Sequence, residues 1–401
     1  MIVKTFPKMV KWEEAMQLIS SHIRPIADEE PISINDAYGR IASRNVTATR
    51  QIPAFPMSLV DGFAVADDSG EWTIVGEVKI GKQHQIKLEE GQCARIATGG
   101  IVPEGTYAIL KIEDVQLTQT ETQGTVIYSK EIKKGNEFVP AGSDIPLGKT
   151  ILKHGQRIGF KEITVLSAQG HPAVFVKRKP RIFLIITGHE IKPPGVELQH
   201  GETYDSTSAM LRALVTRLGA EILEVIYVGE DVDSIRAALG QSMPIADLII
   251  TTGGTSVGKA DNVAKTIEML GQIIFHGMNV RPGKPMLFGM IEGTPILGFP
   301  GFVTSSLVMA HLLLPKVIAD LYGIPPIELK QTQVQLANDI KGYLGWNRII
   351  PGKIIQGKFH STFKTSAALS SFAESQGYIH LKPDEEIARK GETRLFTHFI
   401  K

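Results

Sequence analysis

Cysteine is almost missing from the 401 residues: Cys93 stands alone. A single thiol excludes an intramolecular disulfide framework and any cysteine-rich metal site, which fits a reducing compartment. With no cysteine–histidine arrangement readable around it, Cys93 reads as a buried filler rather than a nucleophile. An excess of either charge is missing too. Against 43 Lys and Arg stand 42 Asp and Glu, and the net charge of +1 gives no global field to attract nucleic acid or an anionic membrane. Any anion site must therefore be local. The opening residues, MIVKTFPKMVKWEEAM, mix apolar and charged side chains and contain neither a signal-peptide core nor a transit pattern. No apolar run approaches the ~20 residues that a membrane helix needs, so the expectation is a soluble, cytoplasmic protein with no membrane partner. The G-x-G-x-x-G fingerprint, the G-x-x-x-x-G-K-S/T loop, the H-E-x-x-H zinc spacing and the G-x-S-x-G elbow are absent, and the 11 histidines are dispersed. Nothing supports a serine triad, and no RNA-recognition signature or basic helix supports nucleic-acid binding.

The length favours two to four domains. From Lys8 to Ile23, Val10, Trp12, Ala15, Met16, Leu18 and Ile19 recur at helical spacing, with Pro25 just beyond. Short β-rich pieces broken by Gly and Pro follow up to about Gly159, among them EWTIVGEVKI, CARIATGG, YAILKIEDVQL and GTVIYSK, an all-β module hung from a smaller helical element. The pattern changes at Lys177. Phe183–Ile186 reads as a buried parallel strand. Strands and helices then alternate: a helix at Ser206–Leu218 stopped by Gly219, the strand EILEVIYVGED, the helix VDSIRAALGQSM, the strand and glycine loop ADLIITTGGTSVG, the helix DNVAKTIEML, and strand, turn and helix in TPILGFPGFVTSSLVMAHLLLP. Such alternation predicts a doubly wound α/β domain with ligands at the carboxyl edge of its sheet. YGIPPIEL reads as a linker, and NRIIPGKIIQG and GYIHLKP as strands of a small β domain. The expected division is 1–178, a helical region with a β module inserted at about 46–139, then 179–325, the α/β domain, then 326–401, the β domain.

Three segments of the α/β stretch share one expected layout of buried strand, glycine turn and helix start: Thr187-Gly188-His189-Glu190, Thr252-Gly253-Gly254-Thr255-Ser256-Val257-Gly258, and Phe299-Pro300-Gly301. Glycines let a backbone approach a ligand closely, and free N–H groups at a helix start attract anions. The plainer reading is that Gly-Gly merely turns the chain. A fourth segment, NVRPGKPMLFG, sets Arg281 and Lys284 on a proline-locked turn, fit for a compact oxyanion or simply a β-turn with solvated charges. Glu190, Asp261 and, upstream, Asp61 are either turn and cap carboxylates or groups that hold Mg²⁺ and accept hydrogen bonds from a donor-rich ring. Together these point to a phosphorylated heterocycle with a divalent metal.

At this point the chain resembles the molybdopterin molybdenumtransferase family, the MoeA and gephyrin E-domain group, over essentially its whole length. The motifs that carry the resemblance are INDAYGRIASRNV, IPAFPMSLVDGFAV, IATGGIVPEG, VPAGSDIPLGKTILKHGQRI, ITGHEI, ADLIITTGGTSVGKAD, RPGKPMLFG and LGFPG, in family order. The resemblance implies insertion of molybdate into adenylylated molybdopterin with Mg²⁺ and release of AMP. It implies a central molybdopterin-binding α/β domain flanked by an N-terminal helical/β region and a small C-terminal β-barrel-like domain. A homodimer is also implied, its cleft shared between the α/β domain of one subunit and the terminal parts of the other, with possible docking to an adenylylating enzyme. Carried over by motif, Asp61, Glu190, Asp261 and Lys284 become catalytic. Thr98, Thr187, Gly188, Gly253, Gly254, Ser256, Gly258, Arg281, Pro300, Gly301, Arg348 and Ser371 would bind the pterin substrate, and Asp144, Asp231 and Asp261 the metal. Arg348, Ser371 and Asp231 match more loosely.

The chain departs from the family pattern at His189, where an acidic residue is usual, at Phe63 in place of Tyr, at Gly100 in place of Ala, and at Phe302-Val303 in place of Asn-Pro. These departures leave a second reading open, a divergent paralogue that binds molybdopterin without inserting metal. An unrelated nucleotide or pyrophosphate hydrolase on the same fold is a third.

Overall fold

The computed structural model describes residues 8–255 and 262–400. The chain forms two compact units, one gathering the chain up to Pro31, Gly39–Ile41 and everything from Phe175 onward, the other Ile32–Tyr38 and Ala42–Val174.

In the first unit a six-stranded sheet runs in the order Glu221–Val228, Arg181–Thr187, Leu248–Thr252, Thr294–Phe299, Leu287–Ile291, Gln272–His276. The first four strands are parallel and the last two antiparallel. The three inner parallel strands are buried almost throughout because helices cover both faces. Alternation along Arg181–Thr187 splits the core. Ile182, Leu184 and Ile186 pack with Leu211, Leu214, Leu313 and Val317 on one face, while Phe183 and Ile185 pack with Ile235, Leu239, Val263 and Ile267 on the other. The antiparallel pair is not legible in the sequence, which offers Asn279–Gly289 as a turn alone. Gly289 sits inside the added strand, and a Cβ there would stand 2.7 Å from Ile267 Cγ2. Glycine lets the strand close against the helix Asn262–Leu270.

The helices fall where expected, with corrections. The first is shorter, Trp12–His22, with Glu13 and Glu14 in its first turn and His22 in its last, matching the helix dipole. The last α/β helix, Val303–Tyr322, does not stop at Pro315 but continues to Tyr322, and Gly323 closes it at φ +65°. An interior proline costs roughly 3 kcal/mol, and burial on nearly every side of this helix, from Leu307 to Tyr322, outweighs it. At 20 residues the helix is long and apolar enough to cross a bilayer, contrary to the sequence expectation, yet most of its length is buried within this unit.

The end of the chain closes a barrel of five strands: Asn347–Ile355, Lys358–Ser361, Gln331–Leu336, Thr393–His398 and Gly377–Leu381, the last pairing back to the first. Val334, Leu336, Ile350, Phe359, Ile379 and Phe396 fill it. Closure removes the exposed edges that an open sheet of this size would carry. The segment Val280–Arg281 of the α/β part adds in parallel to Asn347–Arg348. That short pairing positions the cations described below.

The second unit holds a six-stranded sheet in the order Ala108–Lys111, Gly62–Val65, Gln92–Ile96, Glu71–Val78, Thr125–Ile127, Gln116–Leu117. Phe63, Trp72, Cys93, Leu110 and Val126 form part of its core. Burial pushes the Cys93 thiol up to about 12, in keeping with an inert filler. A helix at Phe160–Ala168, which the sequence reading passes over, begins where Glu162 accepts from the Gly159 amide at 2.9 Å.

Candidate active site

Three parallel strands of the first unit end side by side at Thr187, Thr252 and Phe299. Their loops are tied together by backbone. The Gly253 amide donates to the Phe299 carbonyl at 3.2 Å, and the Thr187 hydroxyl donates to the Thr252 carbonyl at 2.9 Å. Glycine is required at Gly253, which has φ +84° and where a Cβ would lie 2.8 Å from Thr187 Oγ1. A Cβ on Gly301 would touch Gly253 Cα at an ordinary 3.5 Å, so the two loops lie in contact. Among the described residues, no protein acceptor faces the amides of Gly254, Thr255 and Gly301. These donors remain for a ligand.

In front of this edge lies a cavity of about 830 Å³. Of the residues singled out in the sequence, Thr187, Glu190, Gly253, Gly254, Arg281, Lys284, Pro300, Gly301 and Arg348 line it. The order of the strands gives it polarity. Glu230 and Glu190 follow the outermost strand and its neighbour, the glycine loops hold the middle, and the Arg281–Lys284 turn stands beyond, beside the barrel that brings Arg348. Carboxylates thus occupy one end and cations the other.

The cationic end is built by the turn Arg281-Pro282-Gly283-Lys284. Gly283 has φ +128° and packs so closely on Met309 that a Cβ would come 2.1 Å from its sulfur. The Arg281 guanidinium lies 4.2 Å from the ring centroid of Trp346 and 5.2 Å from that of Tyr343. Lys284 Nζ is 5.4 Å from the Trp346 ring, and the Arg348 guanidinium 5.0 Å from Tyr343. Desolvation lowers the pKa of Arg348. The side chains from Tyr343, Arg348, Phe363 and Ser366 belong to the barrel part of the same chain, whereas the family resemblance implied that the partner subunit supplies them.

Several expectations fall elsewhere. Gly188 lies behind the wall at φ +137°, where a Cβ would meet the Glu190 carboxylate at 2.8 Å. The loop from Thr187 does not start a helix; it passes into the short strand Ile191–Lys192, paired with Thr203–Tyr204, because Pro193-Pro194-Gly195 intervenes. Asp231 caps the helix Val232–Ser242, accepting from the Ser234 amide at 2.8 Å, and that bond, ahead of the nearby His189, holds its carboxyl below the usual range. It does not line the cavity. Nor does Ser371, which is buried and accepts from the Lys364 amide at 2.9 Å. Ser256, Gly258 and Asp261 lie outside the described residues.

The second unit has its own polar pair. The Asp61 carboxylate accepts from the Thr98 amide at 2.8 Å, which, with Arg95 nearby, lowers its pKa. The glycine after it is obligatory, since a Cβ on Gly62 would collide with the Leu110 carbonyl at 1.8 Å. Asp144 is exposed in a turn whose amides donate to the Ile52 carbonyl. Phe302, singled out in the sequence as a departure, lines the cavity, whereas Tyr343, Trp346 and Glu230 were missed. The available signal was an acid two residues after a parallel strand, for Glu230.

The chain matches three family models along its length: the MoeA N-terminal region (domain I and II) over residues 10–170, the "Probable molybdopterin binding domain" over 183–319, and the MoeA C-terminal region (domain IV) over 333–397. It is 30% identical to molybdopterin molybdenumtransferase 2 of Mycobacterium tuberculosis across 77% of this chain and 81% of that protein. The chain belongs to the molybdopterin molybdenumtransferase family. The Haemophilus influenzae molybdopterin molybdenumtransferase is 28% identical over 92% of this chain and 95% of its own. A solved molybdopterin biosynthesis MoeA protein from Pyrococcus horikoshii superposes with a TM-score of 0.87 at 30% identity, covering 98% of this chain and 99% of that one. The central α/β part flanked by an N-terminal helical/β region and a C-terminal barrel is this family's architecture.

Proposed function

We propose that this chain inserts molybdate into adenylylated molybdopterin and releases AMP, completing the molybdenum cofactor. The observation that carries the reading is the polarity of the cavity, with Glu190 and Glu230 at one end, free glycine-loop amides between, and Arg281, Lys284 and Arg348 at the other. The glycine-loop amides suit phosphoanhydride oxygens, between carboxylates that suit a divalent ion bound to the same phosphates and cations that suit molybdate. A desolvated wall of fixed donors stabilises developing oxyanion charge without reorganising. Lys284 acts as a compact point charge toward molybdate, and Thr187 and Pro300 shape the wall beside the amides.

Mg²⁺ fits the carboxylate end. Among the described residues there is no cluster of three or more metal-type side chains, but Mg²⁺ commonly takes one or two carboxylates and fills its shell with water and substrate phosphate oxygens. Glu190 and Glu230 would hold it, and when bound it would screen the phosphoanhydride charge. Asp261, Ser256 and Gly258 keep in this proposal the roles that their motif implies. Asp61 with Thr98, and Asp144, keep theirs in the site as assembled in a homodimer. We further propose the division into 1–178, 179–325 and 326–401, a cytoplasmic location and docking with an adenylylating enzyme.

The test is incubation with adenylylated molybdopterin, Mg²⁺ and molybdate, following AMP and cofactor together. Stoichiometric appearance of both is expected. Binding of the pterin without AMP release would sink the transfer reaction in favour of a binding paralogue. Sedimentation at twice the mass of one chain is expected for the dimer, and a single-chain mass would refute it.

A further inference from the structure

We propose that Trp346, at the tip of a barrel hairpin, is a positioning residue that holds Arg281, and with it Lys284, in the geometry needed to receive an oxyanion. This rests on the function proposed above and names how its cationic end is kept in shape. A long guanidinium side chain loses much rotamer freedom when it is fixed, so something must hold it before the anion arrives. A carboxylate would hold it and cancel its charge. Here the support is aromatic, with the guanidinium 4.2 Å from the Trp346 centroid. Among the described residues neither Arg281 nor Arg348 carries a carboxylate partner. A π face orients a cation and leaves its charge available to a third group.

The tip is rigid enough to serve. Trp346 donates its amide to the Tyr343 carbonyl at 3.0 Å, Gly345 donates to Pro383 at 2.8 Å with φ +80°, and Asn347 donates to the Asn279 carbonyl at 2.8 Å. The last bond belongs to the Val280–Arg281 pairing, so the ring and the guanidinium it supports are fixed to the same short ladder. Trp346 is half-buried and does not line the cavity, whereas Arg281 and Lys284 do. It therefore acts through them and not on the substrate.

The experiment compares W346F, W346L and W346A with the unsubstituted full chain. Its readouts are affinity for inorganic molybdate, the KM for molybdate against kcat in the AMP-release assay, and the order of the Arg281 Nε–H by ¹⁵N relaxation. W346A and W346L should weaken molybdate binding by about tenfold at low salt, and W346F by no more than about threefold, since a smaller π face remains. The loss should appear in KM with kcat at saturating molybdate little changed, and Arg281 should be mobile in W346L but ordered in W346F. W346L keeps apolar volume without the π face, so wild-type affinity and an ordered Arg281 in W346L would overturn the inference while leaving the proposed function standing. An unsubstituted chain that binds no molybdate and releases no AMP would overturn both.

Discussion

Lys284 is the residue most exposed to a simple test. Its ammonium is a strongly hydrated point charge on the cavity wall, and a contact made through charge is screened by salt. Lys284→Ala should weaken molybdate binding by about tenfold at low salt and by much less at high salt, measured by calorimetry at two ionic strengths. A loss equal at both would point to a packing role. Gly253 answers to backbone geometry instead. At φ +84° and with Thr187 Oγ1 and its carbonyl within 2.9 Å of any added Cβ, Gly253→Ala has to move a neighbouring strand. A destabilisation of about 2 kcal/mol is expected in urea unfolding, together with loss of ligand binding; an unchanged midpoint would mean that the loop has room to spare.

Among the elements, the buried helix Val303–Tyr322 carries a titratable group in its middle. His311 is 6% exposed, its Nδ1 stands 3.1 Å from the Leu307 carbonyl, and its ring lies 4.6 Å from Phe399. Burial lowers its pKa from 6.5 to about 4. Above the ordinary value both the folded and the unfolded chain hold the ring neutral. Between pH 6.5 and 4 only the unfolded chain takes up the proton, so stability falls as pH drops, by an amount approaching 3 kcal/mol at the lower end, roughly. Urea midpoints at pH 7 and pH 5 should show the decline, and His311→Leu should remove that part of it. A variant with the same slope as the parent would show that other groups carry the acid sensitivity.

For the molecule as a whole, two units and one thiol make a reporter. Cys93 is fully buried in the second unit, whereas Trp12 and Trp346 belong to the first. A thiol reagent should leave the native chain unlabelled and react only when the second unit opens. Trp72 shares the second unit's core with Cys93, so labelling of a Trp72→Phe variant across a denaturant series, set beside the emission of Trp12 and Trp346, then measures whether the units unfold together. Prompt labelling in native buffer would contradict the burial of Cys93. Much of this molecule was legible from its sequence, and the limit has a physical basis. Runs such as Phe183–Ile186 and Leu248–Thr252 announce buried strands because side-chain period and β-branching are local properties, and the glycine loops follow from them. The hairpin Gln272–Ile291 was hidden because its strands are short and its turn looked self-sufficient. Trp346 was hidden because its partner, Arg281, is brought to it only by strand pairing between distant parts of the chain.

That hairpin has a consequence for how this family can vary. Gln272–His276 and Leu287–Ile291 pair edge to edge as antiparallel neighbours, with the cationic turn spliced between them. Because alternate residues point to opposite sides, lengthening the second strand by one position would carry Phe288 from the core it shares with Phe275 and Leu297 to the opposite face, where Leu287 and Ile291 pack with Ile267. Natural insertions into this arm should therefore arrive in twos, be absorbed in a bulge like the one already present between Ile273 and Phe275, or stay within the turn itself, which a survey of homologous chains can check by counting.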